Sequence, residues 1–182
     1  QLLASPHDAS IEPAPADAAH PDDLPIRNEP LRDFADAAQR EAFARAIETA
    51  RVPAMANDAT VEDVDRAIER AQAALASWRE VSVRERARML RGAADRMRVR
   101  RDEIAGIIIR ENGKNWRNAD ADVCEAIDFC NYYAAEAPRL FEPRRLGRFA
   151  GELNIEFHEP RGLAAVISPW NFPLAIACGM TT

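Results

Sequence analysis

This chain has little of what usually announces a site. Only three of its 182 residues are cysteine (Cys124, Cys130 and Cys178). The number is odd and no CxxC occurs, which argues against a disulfide framework and fits a reducing compartment. The three histidines, His7, His20 and His158, are too scattered for metal-ligand spacing, so no metal is expected. His158 reads as a structural or surface residue within a strand. No GxGxxG is found, so the usual dinucleotide fingerprint is missing. No apolar run approaches the ~20 residues of a membrane span. No charged and apolar leader follows Gln1, and a cytoplasmic location is the expectation. Basic residues are not in excess either. The formal net charge is −6, which sets nucleic acid aside as a partner. The Arg-rich stretch 84–101 interleaves Glu and Asp, as a solvated helix face does. No initiator Met is present, which suggests an excised piece.

With 47% hydrophobic and 30% charged residues, the chain has the balance of a soluble globular protein, and its length suits one domain or part of a larger one. Residues 1–30 are rich in Pro, Ala and Asp and read as a linker or disordered lead-in. Residues 31–182 form the folded portion. Phe34, Phe43 and Ile47 suggest a helix over about 33–50, ended by Val52-Pro53. Val61, Val64, Ile68, Ala71, Leu75 and Trp78 make one apolar stripe behind a Thr60/Asp63 cap. Ser82-Val83-Arg84-Glu85 opens a helix that buries Ala87, Leu90, Ala94 and Met97. A third helix, about 102–111, stops at Asn112-Gly113. A fourth, from about Asp120 to Ala137, buries Val123, Ile127, Cys130 and Ala134, and Pro138 closes it.

Past Pro143 the pattern changes. Leu146–Gly151 reads as strand or turn, and Leu153–His158 alternates as a half-buried strand does. Leu163–Ile167 is continuous and apolar, like a parallel strand buried on both faces. Ser168-Pro169-Trp170-Asn171-Phe172-Pro173 follows at its tip, where α/β proteins bind ligands. Phe172-Pro173 opens a last helix. On these grounds alone Asn171 is either a neutral amide donor or that helix's cap.

The string Glu159-Pro160-Arg161-Gly162, an apolar strand, then Pro169-Trp170-Asn171-Phe172-Pro173 resembles the aldehyde dehydrogenase superfamily. Ala71-Gln72-Ala73-Ala74 with Trp78, Arg86 with Leu90 and Ala93-Ala94-Asp95, and Glu111-Asn112-Gly113-Lys114 follow that family's order and spacing. The resemblance covers about residues 58–182. Within the superfamily, Glu125–Cys130 with Tyr132-Tyr133, the Gly151-Glu152-Leu153-Asn154 turn, and Pro173–Ile176 before Gly179-Met180 are similar to pyrroline-5-carboxylate dehydrogenases, which oxidise glutamate semialdehyde to glutamate with NAD. Asn28–Phe34 resembles the segment that joins proline dehydrogenase to this enzyme in bifunctional proteins.

The resemblance implies an α/β fold: here its N-terminal part, mostly helices with a β-hairpin, plus the first strand of a parallel cofactor-binding sheet. Residues 146–158 would belong to an oligomerisation flap of a homo-oligomer. Asn171 would donate to the oxygen of the reacting aldehyde. Ile167, Ser168, Pro169 and Trp170 would line the NAD site, and Glu125, Phe129 and Phe172 the substrate tunnel. Glu125 as a solvated residue and Phe129 as plain core remain open on the residues themselves. A proline dehydrogenase domain could precede the chain. Cys124 and Cys130 sit on a helix's apolar side and Cys178 lies within a helix, so none reads as a nucleophile; the resemblance implies that the family's nucleophilic cysteine, general-base glutamate and Lys-Pro-x-Glu segment lie past Thr182. The piece alone is therefore expected to be inactive, with Leu163–Ile167 prone to aggregate. Two alternatives stand beside this reading: an aldehyde dehydrogenase of another substrate class, and a non-catalytic helical module.

Overall fold

A computed structural model describes residues 26–54, 58–148 and 150–182. Most of the proline-rich lead-in therefore lies outside the described residues. Among the described residues six helices carry the architecture: α1 Ala37–Thr49, α2 Val61–Glu80, α3 Val83–Val99, α4 Arg101–Asn112, α5 Trp116–Phe141 and α6 Ala175–Thr181. Two short strands, β1 Arg144–Arg145 and β2 Ile155–Glu156, pair antiparallel with Arg144 opposite Glu156.

Local chemistry sets most boundaries. Asp36 caps α1, accepting from the Ala38 and Gln39 amides. The same Gln39 and Ala38 bonds hold its carboxyl below the usual range. Thr60 and Asp63 form a reciprocal capping box at α2. Ser82 Oγ accepts the Glu85 amide at α3. Gly113 ends α4 with φ of 75°, a left-handed turn that a side chain would strain.

Helix α5 begins at Trp116, four residues earlier than its apolar pattern indicates. Asn115 is the reason: its Oδ1 accepts the Asn118 amide and caps the first turn. Nor does Pro138 close α5, which continues to Phe141. Proline lacks the N–H that would serve the Ala134 carbonyl four residues back. Arg91 Nη2 of α3 donates to that carbonyl at 3.4 Å instead.

The core lies where α3 and α4 pack against α5, and α1 packs against α4. Phe43, Ala94, Ala105, Ala119, Val123 and Ile127 are fully buried there. Each large side chain among them stabilises the fold by about 1.5–3 kcal/mol. Phe34, Phe43 and Trp116 stack edgewise with centroids 5.0–5.8 Å apart, tying the chain before α1 to the start of α5. A buried ion pair locks the same region: Arg101 Nε and Nη2 each meet Asp120 at 2.7 Å. Residues 28–32 lie across α5 through charged contacts, with Asn28 and Glu29 on Asp128 and the Arg32 amide on Asp120.

Further sequence expectations differ. Leu163–Ile167 joins no ladder among the described residues, and Ile167 is 84% exposed. A strand buried on both faces needs neighbours on both edges and layers above and below. No described element supplies them. In the same way, only Ile155–Glu156 of Leu153–His158 is strand, and Leu153 and Phe157 are exposed because no element covers either face. His158 lies past the strand, its ring 5.8 Å from that of Phe141. The stripe on α2 is present in register, yet Val61, Val64, Ile68 and Trp78 remain exposed.

A candidate active site on the turn before α6

Residues 170–174 form a turn between the unpaired apolar stretch and α6. Asn171 stands on that turn, exposed. It does not cap the helix. Helix α6 starts at Ala175, with Leu174 in the cap position and no side-chain cap of its own. The reading of Asn171 as a local cap of a helix opened by Phe172-Pro173 is thereby removed.

What holds the turn comes from elsewhere in the chain. Asn112 Nδ2 donates to the Trp170 carbonyl at 2.7 Å. Lys114 Nζ sits 4.3 Å above the centre of the Phe172 ring, within cation–π range. The same Nζ meets Asp122 Oδ2 at 2.6 Å. The other oxygen, Asp122 Oδ1, accepts the Ala175 amide at 2.7 Å and supplies the cap that α6 lacks. Sequence reasoning missed these three residues. Asn112 and Lys114 stood in the Glu111–Lys114 motif with no role attached, and Asp122 is 53 residues from its partner, beyond any local pattern.

The predicted residues fall into two groups. Ile167, Pro169, Trp170, Asn171 and Phe172 are exposed along one stretch, with Ser168 half-buried. Ile167, Pro169, Trp170 and Phe172 give this stretch an exposed apolar surface. Glu125 and Phe129 are on α5. Glu125 is exposed, whereas Phe129 is half-buried, stacked on Tyr133 with centroids 5.9 Å apart. Contacts of residue 122 with 175, 126 with 178 and 130 with 178 show α6 running alongside α5 in the same direction. Phe129 thus reaches α6 at Gly179 and belongs to the helix that anchors the turn.

None of the cysteines is set up as a nucleophile. Cys124 is buried, and burial pushes its thiol up to about 12. Cys130 and Cys178 face each other with sulfurs 3.5 Å apart. The shared S–H···S contact and burial raise the Cys130 thiol, and that contact lowers Cys178. Cys178 also donates to the Ala126 carbonyl inside the α5–α6 contact. Among the described residues no group of three His, Cys, Asp or Glu is placed to hold a metal ion. A cavity of about 880 Å³ lies between the α2–α3 junction and the end of α5, lined in part by Trp78, Leu90, Tyr133 and His158. No residue from 167 to 172 lines it, so it is separate from the turn.

Residues 34–182 match the model of the aldehyde dehydrogenase family. A 1-pyrroline-5-carboxylate dehydrogenase 2 of Halalkalibacterium halodurans is 40% identical over 131 residues, which is 72% of this chain and 25% of that protein. A crystal structure of 1-pyrroline-5-carboxylate dehydrogenase from Thermus with bound NAD superposes with a TM-score of 0.78 at 34% identity, over 86% of this chain and 37% of that one. A bifunctional proline utilization A protein superposes with a TM-score of 0.81 at 30% identity, over 94% of this chain and 17% of that one. The chain spans 25% to 37% of the length of the curated relatives it matches.

Proposed function

The chain belongs to the aldehyde dehydrogenase family, and from that premise we propose that the protein it is part of oxidises glutamate semialdehyde to glutamate with NAD in proline catabolism. The observation that carries the reading is Asn171: an exposed carboxamide on a turn fixed from three sides, in a chain similar to dehydrogenases of that substrate.

In aldehyde oxidation a thiolate adds to the carbonyl carbon and negative charge gathers on the former carbonyl oxygen. An amide N–H aimed at that oxygen stabilises the charge without titrating. Asn171 would serve there, and its exposure leaves the N–H free to do so. The thiolate would come from outside this chain, since Cys124, Cys130 and Cys178 are all engaged in packing. Ile167, Ser168, Pro169 and Trp170 would hold NAD, which accepts the hydride when bound. Phe172 and, from α5, Phe129 and Glu125 would shape the aldehyde site.

By the same reading, residues 146–158 would pair with further copies of the chain, and the uncovered Leu153 and Phe157 support that role. A proline dehydrogenase domain would precede residue 1 in a bifunctional form; a similar structure is described as a bifunctional proline utilization A protein, which supports that reading. A cytoplasmic location completes the proposal; no described helix is long and apolar enough to cross a membrane.

The test is steady-state turnover by the full-length protein. Glutamate semialdehyde should give a far higher kcat/KM than simple aliphatic aldehydes. The reverse preference would assign the protein to another substrate class of the family.

A further inference from the structure

We propose that Asp122 and Lys114 are positioning residues for the reaction: together they clamp the turn that carries Asn171 and so fix the aim of its amide. The proposal rests on the catalytic reading of Asn171 given above.

The argument begins with burial. The Asp122 side chain is wholly buried and that of Lys114 is 12% exposed. A carboxylate removed from water must have its oxygens satisfied. Each oxygen of Asp122 has one partner, and those partners come from different parts of the chain. Oδ1 takes the Ala175 amide just after the turn, and Oδ2 takes Lys114 Nζ from the loop after α4. Lys114 then faces the Phe172 ring, and two residues earlier Asn112 holds the Trp170 carbonyl. Trp170, Phe172 and Ala175 are thus tied, and Asn171 lies between the first two.

The clamp is rigid at its base. Asp122 stands on α5 beside Val123, Ala119 and Ala126, all fully buried. Helix α6, by contrast, has seven residues and no cap of its own, so its start depends on Asp122. Here one charge pair reaches two residues on the same side of Asn171 and leaves Asn171 itself unbonded and exposed. A misplacement of about 1 Å at a reacting group can cost on the order of 100-fold in rate.

The experiment uses the full-length protein with Asp122→Asn, Asp122→Ala, Lys114→Met and Lys114→Arg. Asp122→Asn keeps the shape and an acceptor for Ala175 while removing the charge held by Lys114. Turnover should fall by roughly 10- to 100-fold in kcat with KM nearly unchanged for Asp122→Asn and Lys114→Met, and Lys114→Arg should recover part of it. Amide hydrogen exchange should quicken over residues 170–176 in Asp122→Ala, while the α3–α5 core stays protected. Unchanged kcat in Asp122→Asn, or unchanged exchange over 170–176 in Asp122→Ala, overturns the proposal. If Asp122→Ala does not fold, the exchange measurement on Lys114→Met decides. Wild-type protein that oxidises no aldehyde would sink the functional reading, while the exchange result would still decide the clamp.

Discussion

The ring of Phe129 lies directly against Gly179. A Cβ built on Gly179 would stand 2.9 Å from both Cδ2 and Cε2 of that ring. Side-chain carbons do not approach so closely, so α5 and α6 are in contact here only because residue 179 has no side chain. Gly179→Ala should force the ring or α6 to shift and destabilise the fold by about 1–3 kcal/mol. Urea unfolding would measure it. Phe129→Leu in the Gly179→Ala background should recover part of the loss, and additive losses in that double-mutant cycle would show that the two residues do not clash.

The buried pair Arg101–Asp120 gives a second prediction. Asp120 is 1% exposed and takes both Arg101 nitrogens and the Arg32 amide. Asp120→Ala would leave a guanidinium buried without its main counter-charge. Removing one partner of such a pair costs about 3–5 kcal/mol. Thermal unfolding should show that loss, and the segment around Arg32 should become accessible to protease first, because its amide loses its acceptor. A loss within that of an exposed control such as Glu41→Ala would count against the pair's role.

How much of this could be read from the sequence depends on how local the cause is. The Thr60/Asp63 box, the Gly113 stop and the buried positions of α5 follow from three- and four-residue spacings and are present; of the four expected on α3, Ala87 and Ala94 are buried and Leu90 and Met97 half-buried. The position of the Asn171 turn was also legible, because its motif is contiguous. Leu163–Ile167 was not, because apolar composition states that a stretch can be buried, and only neighbouring strands make it a strand. Pro138 misled for a related reason: its cost is local, but Arg91 relieves it from another helix. Asp122 was least visible of all. It reads as one more acid on a helix until α6 is seen to begin against it.

Cys124 predicts a pH dependence. Burial raises its thiol from an ordinary 9.0 to about 12. The folded form therefore holds the proton where the unfolded chain releases it. Its contribution to stability is whole below pH 9.0 and disappears as pH climbs toward 12. Comparing denaturant midpoints at pH of about 8 and about 11, the wild type should lose more stability than Cys124→Ala. Equal losses would show that other groups govern the alkaline limb. In the folded protein the same shift keeps Cys124 unreactive toward iodoacetamide at neutral pH.

Asn171 itself gives the sharpest test of the site. Leu174, not Asn171, occupies the cap position of α6, and Asn171 is exposed. Asn171→Ala should therefore leave stability within about 0.5 kcal/mol of wild type. In the full-length protein the same change removes the donor at the oxygen where charge develops, and kcat should fall roughly 100- to 1,000-fold. Asn171→Asp should be worse still, because it sets a negative charge against the one that forms. The two measurements together separate chemistry from folding: a normal unfolding midpoint with a collapsed kcat is the signature of an oxyanion donor. A lowered midpoint with a proportionate loss of activity would instead make Asn171 a structural residue of the turn.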